Sequence, residues 1–243
     1  MSVLRVRLTQ LRREEAGYSL PELAVAMIVG ILVLGGLFTM LNFTMKSNAK
    51  TTGRVAVDQV GRPAMQRIID ELHSTCVYPG LAPVQAGSTS SQLSIIHATG
   101  IAASPTPVLR RITFSGSGAT PGTLVDTVYN TTGGTAPNWT FSSTAASNFT
   151  LLPRVSQVKT GSTFTPVFRY YRYLNGSISP TPLPVPLSVD NAKLVVQVTV
   201  SFQAALAGSD KIDSGNSMPF NGSALLRFSP SNEDTNKAGL PCT

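Results

Sequence analysis

The stretch AGYSLPELAVAMIVGILVLGG, residues 16–36, decides the fold of the N-terminal region. No polar side chain occurs between Leu23 and Phe38, and the apolar character continues to Met45, so the run exceeds the about 20 residues that a helix needs to cross a bilayer. One carboxylate, Glu22, stands at the edge of this run, directly after Pro21. A charged carboxylate next to hydrocarbon is costly, so Glu22 indicates a functional site with a partner of opposite charge.

The residues before the apolar run are basic and include four arginines: Arg5, Arg7, Arg12 and Arg13. Basic residues favour the cytoplasmic side of a membrane-spanning helix, which predicts a cytoplasmic N-terminus and an exported remainder. A secretory signal peptide has an apolar region of about 7–15 residues followed by a small-residue cleavage motif, and neither feature fits here. The remaining alternative is a simple single-pass anchor, with Glu22 at the level of the lipid head groups.

The order Gly17, Tyr18, Glu22 and then an apolar helix resembles the prepilin signature of type IV pilins and type II secretion pseudopilins. The resemblance implies that a leader, residues 1–17, is removed after Gly17 by the prepilin peptidase. Tyr18 would become the N-methylated mature N-terminus, where the family usually has phenylalanine. Glu22 would be the fifth mature residue and would meet the terminal amine of a neighbouring subunit in a medium of low dielectric, where such a pair is strong. That contact would set the register of assembly.

A single long helix is predicted for residues 18–76, with residues 18–45 in the membrane or filament core and residues 46–76 amphipathic. Pro21 falls in its first turn, where a missing N–H costs nothing, whereas Gly61 and Pro63 are expected to kink or loosen it. The amphipathic half has an apolar stripe at helical spacing: Val57, Val60, Ala64, Met65, Ile68, Ile69 and Leu72. The opposite, polar face comprises Arg54, Asp58, Arg62, Gln66, Arg67, Asp70 and Glu71.

Residues 77–229 are predicted to form a β-rich globular head, and residues 230–243 a flexible tail. Asn175-Gly176 indicates a hairpin turn, and the proline-rich segment Ser179–Leu187 indicates a loop or an extended edge. Apolar residues alternate cleanly in Lys193–Phe202, as expected for a sheet with one buried side. The candidate strands are Gln92–His97, Val108–Phe114, Thr123–Tyr129, Leu151–Val158, Thr163–Leu174, Lys193–Phe202 and Ala224–Phe228.

The expected fold class is therefore α+β, a pilin-like lollipop in which a long N-terminal helix packs on an antiparallel sheet. The order of RPAMQRIIDELHSTC, a β-rich head, NAKLVVQVTVSF and SALLRF is similar to that of the larger minor pilins and of the J-type minor pseudopilin. This similarity implies a subunit that initiates or caps a filament.

Composition limits the chemistry that the chain can perform. The 243 residues carry a net charge of +7, only 13% are charged, and the two histidines, His73 and His97, lie apart from any set of metal ligands. No nucleotide-binding or hydrolase motif occurs, so we expect no metal, no cofactor and no enzymatic activity. The two cysteines, Cys76 and Cys242, are either one disulfide, which export favours, or two buried thiols.

One basic and aromatic cluster, PVFRYYRYL at residues 166–174, suggests a ligand contact through Arg169, Tyr171 and Arg172. Aromatic platforms combined with cations bind single-stranded nucleic acid. The structural alternative is a strand in which these side chains pair across the sheet. The N-x-[ST] motifs at Asn130, Asn138, Asn148, Asn175 and Asn221 are interpreted as chance occurrences in a chain rich in serine and threonine.

Two functional hypotheses follow. The first is a minor type IV pilin or pseudopilin, whose partners are other pilin or pseudopilin subunits, the prepilin peptidase, the inner-membrane assembly platform and membrane lipids. It would lie in the cell membrane with a cytoplasmic N-terminus and an extracytoplasmic head, and then join a pilus or pseudopilus. The second is a membrane-anchored exported module whose head binds DNA or a surface ligand.

Overall fold

The computed structural model describes residues 19–75, 82–99, 106–135, 138–206, 212 and 216–226. The chain divides into two compact units, residues 1–49 and 50–243. Helix α1 (Leu20–His73) contributes residues to both units, and a short helix α2 (Val189–Lys193) belongs to the second. The predicted leader, Tyr18, both cysteines of the predicted disulfide and the predicted tail lie outside the described residues.

In the first unit, α1 is apolar on every side. Its large side chains from Leu23 to Met45 are exposed, and an 18-residue window has a mean hydropathy of 2.5 with no buried residue. This is the one helix in the described part of the chain that is long and apolar enough to cross a membrane. The predicted apolar helix is therefore confirmed, and it is compatible with a single-pass anchor.

Three polar side chains interrupt the apolar run, and each bonds to its own helix. Thr39 Oγ1, Asn42 Nδ2 and Thr44 Oγ1 donate to the carbonyl oxygens four residues earlier, at 2.6, 3.0 and 2.9 Å. In hydrocarbon a polar hydrogen without a partner is costly, and these bonds remove that cost locally. The hydroxyl hydrogens of both threonines and one of the two Nδ2 hydrogens of Asn42 are thus bonded within the helix.

In the second unit, one face of α1 packs on the sheet. The predicted stripe is largely confirmed, but Val60 is 45% exposed and Gly61 takes its place against the sheet. A Cβ atom on Gly61 would lie 2.3 Å from the ring of Phe220, so the absence of a side chain lets the helix approach closely. The helix also continues through Pro63. Its buried residues are Val57, Gly61, Ala64, Met65, Ile68 and Leu72.

The second unit contains an eight-stranded antiparallel sheet with the order β1-β2-β3-β5-β11-β12, in which β4 pairs with β3 and β8 pairs with β11. The sheet curls and brings β8 close to β1. Phe168 N of β8 donates to Ser90 O, just before β1, at 3.0 Å. Two hairpins, β6–β7 and β9–β10, lie outside it. The strands are β1 Gln92–Thr99, β2 Thr106–Phe114, β3 Gly122–Thr135, β4 Asn138–Phe141, β5 Ser147–Ser156, β6 Val158–Thr160, β7 Thr163–Thr165, β8 Phe168–Tyr171, β9 Tyr173–Leu174, β10 Ser177–Ile178, β11 Gln197–Ala205 and β12 Ser217–Leu225.

The strand predicted at Lys193–Phe202 begins four residues later than expected. Ser188 caps α2 by accepting a hydrogen bond from Asn191 N at 3.1 Å, so Lys193 ends a helical turn instead of opening β11. The predicted alternation holds within and just before the strand, because Val196, Val198, Val200 and Phe202 are all buried.

Three further predictions for the head meet different outcomes. The predicted strand Thr163–Leu174 is wrong as a single element and is divided into β7, β8 and β9. The predicted turn is confirmed, since Asn175 and Gly176 have φ of 51° and 74° between β9 and β10. Ser179–Leu187 contains no strand, as expected.

The last strand starts seven residues earlier than predicted, at Ser217. Pro219 and Gly222 are unfavourable in strands, so the sequence did not indicate a strand there. Both residues are tolerated because β12 is an edge strand of the sheet. Gly222 also lets α1 pack closely on β12, since a Cβ atom there would lie 2.9 Å from Met65 Sδ.

Candidate functional site

The start of α1 fixes the position of the first candidate site. Glu22 N and Leu23 N both donate to Ser19 O, at 2.9 and 3.1 Å, so the helix begins directly after Ser19. Pro21 is the second helical residue, where no intrahelical partner is required of it. The prediction that Pro21 falls in the first turn is confirmed.

Glu22 occupies the third helical position, and its side chain is exposed. A carboxylate in the first turn interacts favourably with the helix dipole, by about 0.3–1 kcal/mol. Ser19 and Glu22 also have the S-x-x-E spacing of a capping box, a local signal that the sequence reading missed. Among the described residues, Glu22 forms no ion pair. Its carboxylate can therefore support the helix start and still accept a cationic partner.

The part of α1 that follows Glu22 exposes apolar side chains on all sides. Leu32 is 70% exposed, and Leu34, on the opposite side of the helix, is 66% exposed. A helix that is hydrophobic all round is stable only in lipid or against other helices. Gly17 and Tyr18, the remaining members of the predicted processing site, lie outside the described residues.

The basic and aromatic cluster of the head is only partly brought together. Arg169 and Tyr171 share the half-buried face of β8, opposite the buried Phe168 and Tyr170. Arg172 lies between β8 and β9 and belongs to neither strand. Arg169 Nη2 donates to a serine hydroxyl of β11, Ser201 Oγ, at 3.4 Å. The segment thus presents one arginine and one tyrosine on a common face, which is a weaker aromatic and cationic surface than expected.

Tyr170 of the same segment has a structural role. Its hydroxyl donates to Thr89 O and Gln92 O, at 3.0 and 2.9 Å, and holds β8 against the start of β1. Burial raises the pKa of Tyr170 well above its usual value, so the phenol stays neutral and available as a donor.

A network of charges that the sequence reading missed joins α1 to the sheet. Asp126 of β3 is 1% exposed and pairs with Arg110 of β2 and, at 3.5 Å, with Arg67 of α1. Glu71, one turn further along α1, also pairs with Arg110. The network continues to β1, since His97 Nδ1 lies 3.6 Å from Glu71 Oε2. Four ionised side chains and a histidine are thereby connected across α1 and three adjacent strands.

The predicted solvent face of α1 is therefore wrong for Arg67 and Glu71. Asp126 explains the error, because it shares a face with Leu124, which is fully buried, in a strand that otherwise presents apolar residues there. A buried carboxylate requires cationic or hydrogen-bonding partners, and the helix supplies one of them. The sequence does contain one signal for this network, because Asp126 alternates with apolar residues at a strand position that faces the core. The guanidinium of Arg67 also lies 4.4 Å from the centroid of the Phe149 ring.

Within the described residues, no group of three or more histidine, cysteine, aspartate or glutamate side chains could hold a metal ion. Comparison with protein-family models, curated protein sequences and solved structures found no match to the chain.

Proposed function

We propose that the chain is a minor type IV pilin or pseudopilin, a structural subunit that is processed after Gly17 and assembled through its N-terminal helix. The observation that carries the proposal is the start of α1. The helix begins at Leu20, has Pro21 and Glu22 in its first turn, and is then apolar and exposed on every side.

Processing accounts for each feature of this start. A cut after Gly17 leaves only Tyr18 and Ser19 before the helix and creates an α-amino group four residues upstream of Glu22. The exposed carboxylate then has a natural partner in the amine of an adjacent copy, and the pair is strengthened by the low dielectric between apolar helices. The same apolar surface that holds the precursor in the membrane is covered by other subunits after assembly.

The second unit supports the same proposal. The amphipathic part of α1 packs on an antiparallel sheet, which is the arrangement expected of a pilin-like fold. We infer a cytoplasmic N-terminus and an extracytoplasmic head, with the prepilin peptidase, the assembly platform and other subunits as successive partners.

The first experiment reads the mature N-terminus by mass spectrometry, from cells with and without the prepilin peptidase. The expected result is a chain that begins at N-methylated Tyr18 only when the peptidase is present. An intact leader in wild-type cells would contradict the proposal and favour the anchored binding module. In that case, retention of DNA by the wild type but not by a variant with Arg169→Ala and Arg172→Ala would support the module.

The second experiment tests Glu22 separately from processing. Glu22→Gln removes the charge with little change in size, and we expect normal cleavage but loss of co-purification with other subunits. Asp70→Asn is the matched control, because Asp70 is also an exposed carboxylate of α1 and forms no ion pair among the described residues. Normal assembly of Glu22→Gln would contradict the role of Glu22 in subunit register.

A further inference from the structure

We propose that the head is an acceptor of N-linked glycans at Asn130, Asn138, Asn148, Asn175 and Asn221. The proposal rests on export of the head, which it shares with the proposed function. Each of these asparagines begins an N-x-[ST] motif with no proline at the middle position, which is the acceptor pattern for N-glycosylation.

The first argument is the exposure of the acceptors. All five asparagines of the head motifs are exposed in the folded second unit, so a bulky polar group on each side chain displaces solvent and no core residue. An acceptor in the core would be incompatible with folding after modification. The folded head therefore accommodates a glycan at every one of these positions.

The second argument is the frequency of the motifs, which speaks against their interpretation as chance occurrences. The chain has 11 asparagines, and 52 of its 243 residues are serine or threonine, so chance would provide about two such motifs, whereas six occur. The sixth motif starts at Asn42, inside the apolar run, where the side-chain amide donates to Phe38 O at 3.0 Å. Asn42 is engaged with its own helix and serves as an internal negative control.

The third argument is the location of three of the five motifs at sheet edges. Asn138 lies on β4, which pairs only with β3, and Asn221 lies on β12, which pairs only with β11, as far as the described residues show. Asn148 lies on the part of β5 whose second edge is not paired with any described strand, because β11 pairs with β5 only at Val155 and Ser156. Unpaired edges invite pairing with other chains, and bulky polar groups block it.

The fourth argument is the scarcity of charge around these edges. Strands β3, β4 and β5 contain two charged residues, Asp126 and Arg154, and Asp126 is buried. The same region exposes 52% of Phe149, the middle residue of the Asn148 motif. Charged residues normally protect such edges. Glycans would supply the missing polar covering.

The chemistry requires a lipid-linked diphosphate oligosaccharide and its transferase on the side of the membrane that the head occupies. The Nδ2 atom of asparagine attacks the anomeric carbon, and a bond forms between them. The bond from that carbon to the diphosphate oxygen breaks, and the diphosphate leaves with the electron pair. The proton lost from Nδ2 passes to a base of the transferase, so atoms and electrons balance.

The test uses the full chain purified from the membranes of its native host and analysed by intact-mass and glycopeptide mass spectrometry. We expect sugar increments on the five asparagines of the head and none on Asn42. Thr150→Ala should abolish the increment on Asn148, whereas Thr150→Ser should retain it. Thr150 is exposed and its hydroxyl has no hydrogen-bond partner among the described residues, so both substitutions leave the fold intact.

The outcomes separate this inference from the proposed function. A chain that begins at Tyr18 but carries no sugar on any of the five asparagines would overturn the glycan inference and leave the pilin proposal standing. An increment that persists on Asn148 in Thr150→Ala would also overturn it, because the modification would not depend on the motif. A glycosylated head with an intact leader would support the glycan inference and contradict the pilin proposal.

Discussion

Removing the charge of Asp126 is the sharpest test of the contact between α1 and the sheet. The change Asp126→Asn keeps the shape of the side chain but leaves Arg110, which is 13% exposed, with one of its two carboxylates missing. Breaking a buried ion pair on one side costs about 3–5 kcal/mol. Arg110 retains Glu71 and Arg67 is 42% exposed and can turn towards water, so we expect about 3 kcal/mol, the lower end of that range.

The assay is urea denaturation of the full chain in detergent, followed by near-ultraviolet circular dichroism, which reports packing around the aromatic residues of the head. The matched control is Asp58→Asn on the same helix. Asp58 pairs with Arg62 at 3.1 Å, but the arginine is 72% exposed, so we expect a loss of at most about 0.5 kcal/mol. A triple variant, Asp126→Leu with Arg110→Met and Glu71→Leu, should recover much of the loss, because apolar residues can replace a buried ion-pair network.

If Asp126→Asn and Asp58→Asn lower the free energy of unfolding by the same amount, the reasoning is refuted. That result would mean that Asp126 is hydrated in solution and that the network contributes no more than an exposed pair. A loss that the triple variant does not recover would instead show that the polar geometry itself, and not the unpaired charge, stabilises the contact.

Two further substitutions test other contacts of the head. Gly61→Ala adds a methyl group 2.3 Å from the ring of Phe220, so we expect the free energy of unfolding in urea to fall by about 1–3 kcal/mol despite the better helix propensity of alanine. Gly35→Ala is the control, because a Cβ atom there has nothing within 4 Å and should leave the stability of the head unchanged. Equal stability of the two variants would contradict the close approach of α1 to the sheet. Because burial raises the pKa of Tyr170, its neutral form is favoured in the folded state, and stability should be complete below about pH 10 and fall as the pH rises above that value. Tyr170→Phe should lower stability at neutral pH and flatten this alkaline decline, as measured by denaturation across pH 8–12; an unchanged decline would assign it to other groups.

The elements that sequence alone predicted well are those with a strong local signal. The apolar run and the stripe from Val57 to Leu72 depend on residues a few positions apart, and both appear in α1. The turn at Asn175-Gly176 is also local, because it needs only two residues that tolerate positive φ. These features are properties of short segments and require no knowledge of distant partners.

The features that the sequence did not reveal depend on residues far apart in the chain. Glu71 and Arg110 are separated by 39 positions, so no local pattern shows that they form a pair. The strand β12 has weak strand propensity, and it exists because β11 and α1 offer it a surface. The candidate assembly site divides in the same way, since the helix start at Leu20 follows from local signals while the partner proposed for Glu22 would belong to another chain.

The back-bonded polar residues of the apolar run have a consequence for recognition between copies. Thr39 and Thr44 donate their hydroxyl hydrogens to their own helix, whereas Asn42 donates one Nδ2 hydrogen to Phe38 O and keeps its second Nδ2 hydrogen and its Oδ1 for a neighbouring helix. Apolar contacts alone would let such helices slide and turn against each other at little cost. In the proposed assembly, the depth of each helix would therefore be set by two groups, the carboxylate of Glu22 at the start of the helix and the amide of Asn42 twenty residues further along.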